Sequence, residues 1–206
     1  MTRSKMAAGW WLAAMMVMGC ARPAVAAVEV SKDARQMVQW IMASRDNLDM
    51  PFAILDKKTA RFFVFDATGR MVGAAPALIG AAPGDQAAPG VGSRPLSQIK
   101  PEERTTPAGR FLSEPGRNLT GEDIVWVDYD AAFAIHRVRP GPSWQRRHAL
   151  LPSPRVADHR VSLGCIVVAP DFYDGVVQPT LGRRRGVVYV LPETQSARAL
   201  FAALNG

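Results

Sequence analysis

Cys165 is the residue of this 206-residue chain with the greatest chemical reach. It stands in the string Ser162-Leu163-Gly164-Cys165-Ile166-Val167. The one other cysteine, Cys20, lies in an N-terminal segment patterned as an export leader, so Cys165 has no disulfide partner in the folded domain. Exported proteins usually pair their cysteines or avoid them, because the compartment is oxidising. A lone thiol there has two uses. It is a buried, inert small hydrophobe, or it is a nucleophile. Gly164 favours the second, since a residue without Cβ lets the backbone bend and approach a substrate closely. Backbone N–H groups at such a bend can face a developing oxyanion. A thiol is mostly protonated at neutral pH and the thiolate is the reactive form, so a base or a cation has to stand nearby.

Three histidines are available: His136, His148 and His159. His136 lies in Phe133-Ala134-Ile135-His136-Arg137-Val138, where apolar alternation predicts a strand, and a strand aims a side chain rigidly. It is the first candidate for the base. His159, six residues before Cys165, is the second. His148 sits in an arginine-rich stretch and reads as solvated. Each of the three also has a plain structural reading, as a core or surface histidine.

The elements that must position these residues read as mostly β. Ser31 is a predicted N-cap for a helix whose apolar face is Ala34, Met37, Val38, Ile41 and Met42. That face either docks a partner or packs on the chain's own domain. Strands are predicted at 52–56 and 61–66 around a turn at 57–60, then at 71–79 after a turn at 67–70, which makes a meander. Residues 80–109 are rich in Gly and Pro and form a long loop, of the kind that covers a site or stays irregular. Strands return at 110–112, 124–128 and 132–138, and a second irregular stretch covers 139–158. Residues 160–168 form a strand with a tight glycine bend, 171–177 a helix, 186–191 a strand, and 194–204 a closing helix. The expected fold is mainly β, a β-sandwich-like domain with a few peripheral helices. One domain is expected over 27–206, with its core at about 52–192.

Arg3 and Lys5, an apolar run over 7–18 and the small residues Ala24-Val25-Ala26 form a secretory leader, cleaved before Ala27. The run is too short for a membrane span of roughly 20 residues. Val17-Met18-Gly19-Cys20 also has the outline of a lipobox, so lipidation at Cys20 is the alternative to plain secretion. Composition agrees with a globular protein: 48% of residues are hydrophobic and 21% charged. The formal net charge of +7 falls once the leader's Arg3, Lys5 and Arg22 are removed. No basic stripe interleaved with aromatics marks a nucleic-acid surface. No HExxH or CxxC spacing marks a metal site, and no cofactor is expected.

Three segments together resemble the L,D-transpeptidase family with its YkuD-type catalytic domain. Ser162-Leu163-Gly164-Cys165-Ile166 is similar to its Ser-x-Gly-Cys-(Ile/Val) signature. Thr106-Pro107-Ala108-Gly109-Arg110-Phe111 is similar to an upstream Thr-Pro-x-Gly-x-Phe segment, and Ala134-Ile135-His136 to the strand that bears the catalytic histidine. The resemblance implies a β-sandwich-like domain acting in the periplasm on murein. Cys165 would attack a tetrapeptide stem at meso-diaminopimelate and expel D-alanine. His136 would take the thiol proton, with its ring oriented by the Arg137 carbonyl. The Gly164 and Cys165 N–H groups would hold the oxyanion, and Ser162 would support the bend. The acceptor would be a second stem's amine, a wall protein or water; with water the enzyme is a hydrolase.

This chain departs from the family where relatives often carry His or Tyr, having Leu163, and where they carry Arg or Asn, having Val167. His136 and Cys165 are 29 residues apart, with an insertion that holds Arg139, Arg146, Arg147, His148 and Arg155. Arginine binds carboxylates bidentately, so Arg139 and Arg147 are candidates for the stem carboxylates. A solvated loop is the plain alternative. A sortase-like enzyme would place an arginine soon after the cysteine, whereas here the first is Arg183. A non-catalytic wall-binding module is the reading from another class. A low-pKa, exposed thiolate at Cys165 is expected of the enzyme, and an ordinary or buried thiol of the module.

Overall fold

The computed structural model describes residues 30–202. The expected leader, with Cys20 and the cleavage site before Ala27, lies outside them. In chain order the strands are β1 (Phe52–Asp56), β2 (Arg61–Phe65), β3 (Met71–Pro76), β4 (Ile79–Gly80), β5 (Gly109–Arg117), β6 (Asp123–Asp128), β7 (Phe133–Arg137), β8 (Arg160–Ser162), β9 (Ile166–Val168) and β10 (Gly186–Leu191). Eight of them form one sheet in the order β3-β2-β1-β10-β5-β6-β7-β9, and β4 pairs with β8 in a small second sheet. The fold is mainly β with a few helices, as the residue pattern predicts.

The central strands are buried on both faces, which is why they read as unbroken apolar runs. Successive side chains point to opposite faces. Ala53, Leu55, Phe62, Val64, Val188 and Val190 enter the main core. Phe52, Ile54, Phe63, Phe65, Val187, Tyr189 and Leu191 enter a second cluster. That cluster is capped by Ala34, Met37 and Ile41 of helix α1 (Lys32–Ser44). The Ser31 hydroxyl accepts the Ala34 N–H at 3.1 Å and starts the helix as an N-cap. The helix packs on its own sheet.

The sheet curls until its two ends share a core. Phe62 of β2 and Ile166 of β9 belong to that one core, together with Tyr173, Val177 and Leu181. Leu78, just past β3, exchanges both backbone hydrogen bonds with Val167 of β9, at 2.7 and 2.9 Å. The curled sheet is thus nearly closed.

Several elements differ from the sequence expectation. The strand predicted at 71–79 breaks at 77–78 to make β3 and β4. The strand predicted at 110–112 runs on to Arg117, because pairing with β6 outweighs the poor propensity of Pro115 and Gly116. The bent strand predicted at 160–168 is two strands in two sheets. The stretch 139–158, expected to be irregular, contains helix α2 (Trp144–Leu150). Residues 170–180 form one continuous helix, α3, whose middle turn, Tyr173–Val177, is π-helical. The closing helix begins at Ala197.

Candidate active site

The site face of the sheet follows from alternation. Val125, Val127, Phe133 and Ile135 enter the main core, so Trp126, Ala134 and His136 lie on the opposite face. Strands β7 and β9 pair in parallel, with His136 opposite Val167. Cys165 lies two residues before Val167 and packs on the same side. With Trp144, Leu150, Val161 and Ala169 it lines a small apolar cluster of Leu78, Val138, Leu151 and Val167. The fold therefore brings His136 and Cys165 to one face of neighbouring strands. Helix α2 and the residue after it lie over that face.

The turn before β9 needs its glycine. Gly164 has φ +134°, and a Cβ there would meet the Thr105 carbonyl oxygen at 2.9 Å. The Gly164 N–H donates to Ser162 Oγ at 3.1 Å, and the Ser162 hydroxyl donates to the Cys165 carbonyl at 2.7 Å. The Gly164 N–H is thereby engaged inside the turn, which leaves the Cys165 N–H as the turn's donor toward a ligand. The 80–109 loop reaches this turn through Thr105 and Thr106.

His136 is 9% exposed. Its Nδ1 stands 2.8 Å from the Arg137 carbonyl. A carbonyl only accepts, so Nδ1 carries the proton and Nε2 holds the lone pair. Burial lowers the imidazole pKa to about 4, against the Arg137 carbonyl bond that raises it; the charges of Arg139 and Arg147 lower it further. The Cys165 thiol is free and partly exposed, and it donates to the Ala132 carbonyl at 3.6 Å. Burial pushes its pKa up, while the Ala134 backbone and the Arg139 charge pull it down. At neutral pH the thiol and the imidazole on this face are thus both neutral. The expected low-pKa thiolate is not the resting state, because the apolar cluster around the thiol disfavours the anion more than the nearby arginine favours it.

Arg139 and Arg147 are both near enough for their charges to lower the His136 pKa. Arg139 is paired with Glu122 at 2.9 Å. The Nε of both Arg139 and Arg147 is buried with no hydrogen-bond partner. The Arg137 side chain turns away, to Asp174 at 2.8 Å and over the Tyr173 ring.

The other two histidines have structural surroundings. His148 is exposed and stacks on Trp144 with ring centroids 5.2 Å apart. His159 is buried, with its ring nitrogens 3.0 Å from the Ala77 and Ser153 carbonyls. Among the described residues no three His, Cys, Asp or Glu side chains gather as a metal site requires, and no helix is long and apolar enough to cross a membrane.

No family model matches the chain, and no curated protein does. Solved structures do. In fold the chain is similar to L,D-transpeptidases. The enzyme from Mycobacterium smegmatis is 18% identical over 68% of this chain and 58% of its own, with a TM-score of 0.39. A fused Zn-dependent amidase/peptidase/peptidoglycan-binding domain-containing protein from Clostridium acetobutylicum is 16% identical over 79% of this chain and 65% of its own, with a TM-score of 0.39. The helical cell shape determining protein Pgp2 from Campylobacter jejuni is 12% identical over 71% of this chain and 49% of its own, with a TM-score of 0.43. The chain spans less than two thirds of each of these proteins.

Sequence reasoning missed three partners of the site. The Ala132 carbonyl on the thiol, Glu122 on Arg139 and the Thr105–Thr106 contact with Gly164 all join residues distant in sequence. Only Thr106 left a trace, as part of the Thr-Pro segment.

Proposed function

We propose that the chain is an exported cysteine transpeptidase acting on the tetrapeptide stems of peptidoglycan. The observation that carries this reading is the shared face of neighbouring strands β7 and β9, which bears both His136, with its Nδ1 proton held by the Arg137 carbonyl, and Cys165, at the Gly164 turn. The His136 imidazole is neutral, as a base must be before it takes a proton, and its lone pair is on Nε2. Cys165 Sγ attacks the meso-diaminopimelate carbonyl as its proton passes to His136 Nε2. The Cys165 N–H receives the oxyanion. The C–N bond to D-alanine then breaks, and the leaving amine takes the proton from His136. An acceptor amine attacks the thioester and returns the thiol. Arg139 and Arg147 are the two candidates for a stem carboxylate, since each has a buried Nε without a hydrogen-bond partner, and Arg139 is also ion-paired with Glu122. Ser162 and Gly164 shape the turn.

The chemistry is tested by intact-protein mass spectrometry after incubation with a disaccharide-tetrapeptide, beside Cys165→Ala. An acyl adduct or release of D-alanine that requires Cys165 is expected. Adding an acceptor amine then separates transfer from hydrolysis. The protonated, carbonyl-bonded thiol favours one other reading, a wall-binding module that keeps the fold. Binding of the stem without adduct or turnover would replace the enzyme with that module.

A further inference from the structure

A buried cation stands behind the nucleophile's turn and has no part in the chemistry above. The three ammonium hydrogens of Lys57 go to the Gly84 carbonyl at 2.5 Å, Asp85 Oδ1 at 2.8 Å and the Thr106 carbonyl at 2.9 Å. No donor is left over. Lys57 and Thr106 are 1% and 2% exposed. With its backbone anchored in this way, Thr106 presents its hydroxyl to two glycines. The hydroxyl accepts the Gly80 N–H at 2.8 Å and donates to the Gly164 carbonyl at 2.7 Å.

The second bond has a geometric consequence. The Gly164 carbonyl and the Cys165 N–H belong to one peptide group, which is planar and trans. Fixing the oxygen fixes the direction of the N–H on the opposite side. We propose that Thr106 is a positioning residue for the oxyanion donor: its hydroxyl holds the Gly164–Cys165 peptide plane and so aims the Cys165 N–H, while Lys57 holds Thr106. This inference rests on the reading of Cys165 as an acyl-forming nucleophile, and it names a device of that same site.

The test compares two reactions of one thiol in the wild-type, Thr106→Val and Thr106→Ser proteins. Acylation by p-nitrophenyl acetate passes through an oxyanion, whereas alkylation by iodoacetamide does not. Thr106→Val is expected to slow acylation about tenfold to hundredfold, less than the roughly hundredfold to thousandfold for outright loss of an oxyanion donor because the donor is misaimed rather than removed, with alkylation changed by less than about twofold. Thr106→Ser, which keeps the hydroxyl, is expected to restore acylation. With a stem peptide, Thr106→Val is expected to lower kcat and leave KM unchanged, because the donor acts in the transition state. Should Thr106→Val fail to fold, Thr106→Ala takes its place in the same two reactions. The proposal is overturned if acylation and alkylation fall together, if neither changes, or if Thr106→Ser is as slow as Thr106→Val. A wild-type protein inert to the stem peptide but showing the selective acylation loss would sink the substrate assignment and leave the role of Thr106 standing.

Discussion

At the scale of single residues the site is defined by two depressed ionisations. His136 is held neutral by burial, with a pKa of about 4 against an ordinary 6.5. A histidine whose folded value is depressed gives stability that is fully present above its unfolded value and is lost as pH falls. The unfolded chain takes up the proton from about pH 6.5 downward, and the loss ends near pH 4, where the folded ring also protonates. The total loss is roughly 3 kcal/mol. Thermal melts between pH 7 and 4 should therefore show Tm falling, and His136→Gln should flatten that slope. The proposed catalysis needs the same neutral ring, so the acid limb of kcat/KM should fall near pH 4 rather than 6.5. The thiol behaves oppositely. Because burial raises Cys165, its alkylation should be slow at neutral pH and accelerate only above the ordinary thiol range. Fast alkylation of the wild-type protein at neutral pH would contradict the neutral-pair description.

At the scale of elements the decisive one is the turn between β8 and β9. It changes sheets, carries a positive φ at Gly164 and closes on itself through Ser162. Gly164→Ala combines a disfavoured backbone conformation with a Cβ 2.9 Å from the Thr105 carbonyl oxygen. That substitution should destabilise the fold by about 1–3 kcal/mol. It should also reduce turnover more than its stability loss explains. Equilibrium denaturation and kinetics on the same preparation check both. Helix α2 is the second such element. It covers the face that bears His136 and brings Arg147 to it, yet its sequence, Trp144-Gln145-Arg146-Arg147-His148-Ala149-Leu150, shows no continuous apolar stripe.

At the scale of the whole molecule a buried charge network ties distant segments together. Asp85 accepts from Lys57, from the backbone of Glu193 and Thr194 and from the Thr194 hydroxyl. Glu193 in turn pairs with Arg160 of β8. Burial would raise the Asp85 pKa, but these donors prevail and lower it to about 2. Its contribution is thus present above the ordinary carboxylate value and is lost as pH falls through about 2. Asp85→Asn should cost about 3 kcal/mol or more, because it leaves the Lys57 ammonium buried without its nearest carboxylate. Denaturant unfolding of Asp85→Asn, Lys57→Met and the double variant measures the coupling. The double variant should be more stable than the two single losses added together imply. Strict additivity would mean that the two side chains are energetically independent.

The sequence alone determined what local chemistry dictates. Short apolar runs set off by turns at 52–56, 61–66 and 186–191 marked the strands, Ser31 marked a helix start, and Gly164 beside an unpaired Cys165 marked the bend. Tertiary structure decided what depends on contacts between distant segments. The parallel pairing of β1 with β10 and of β7 with β9 joins residues far apart in the chain, and no local pattern encodes it. The burial of Lys57, which reads as an ordinary turn lysine, follows from the path of the 81–108 loop. The protonation of Cys165 follows from the apolar cluster that α2 and β9 build around it. The proposed nucleophile and base follow from residue type and spacing. Their ionisation is a property of the dielectric around them, which exists only once the chain has folded.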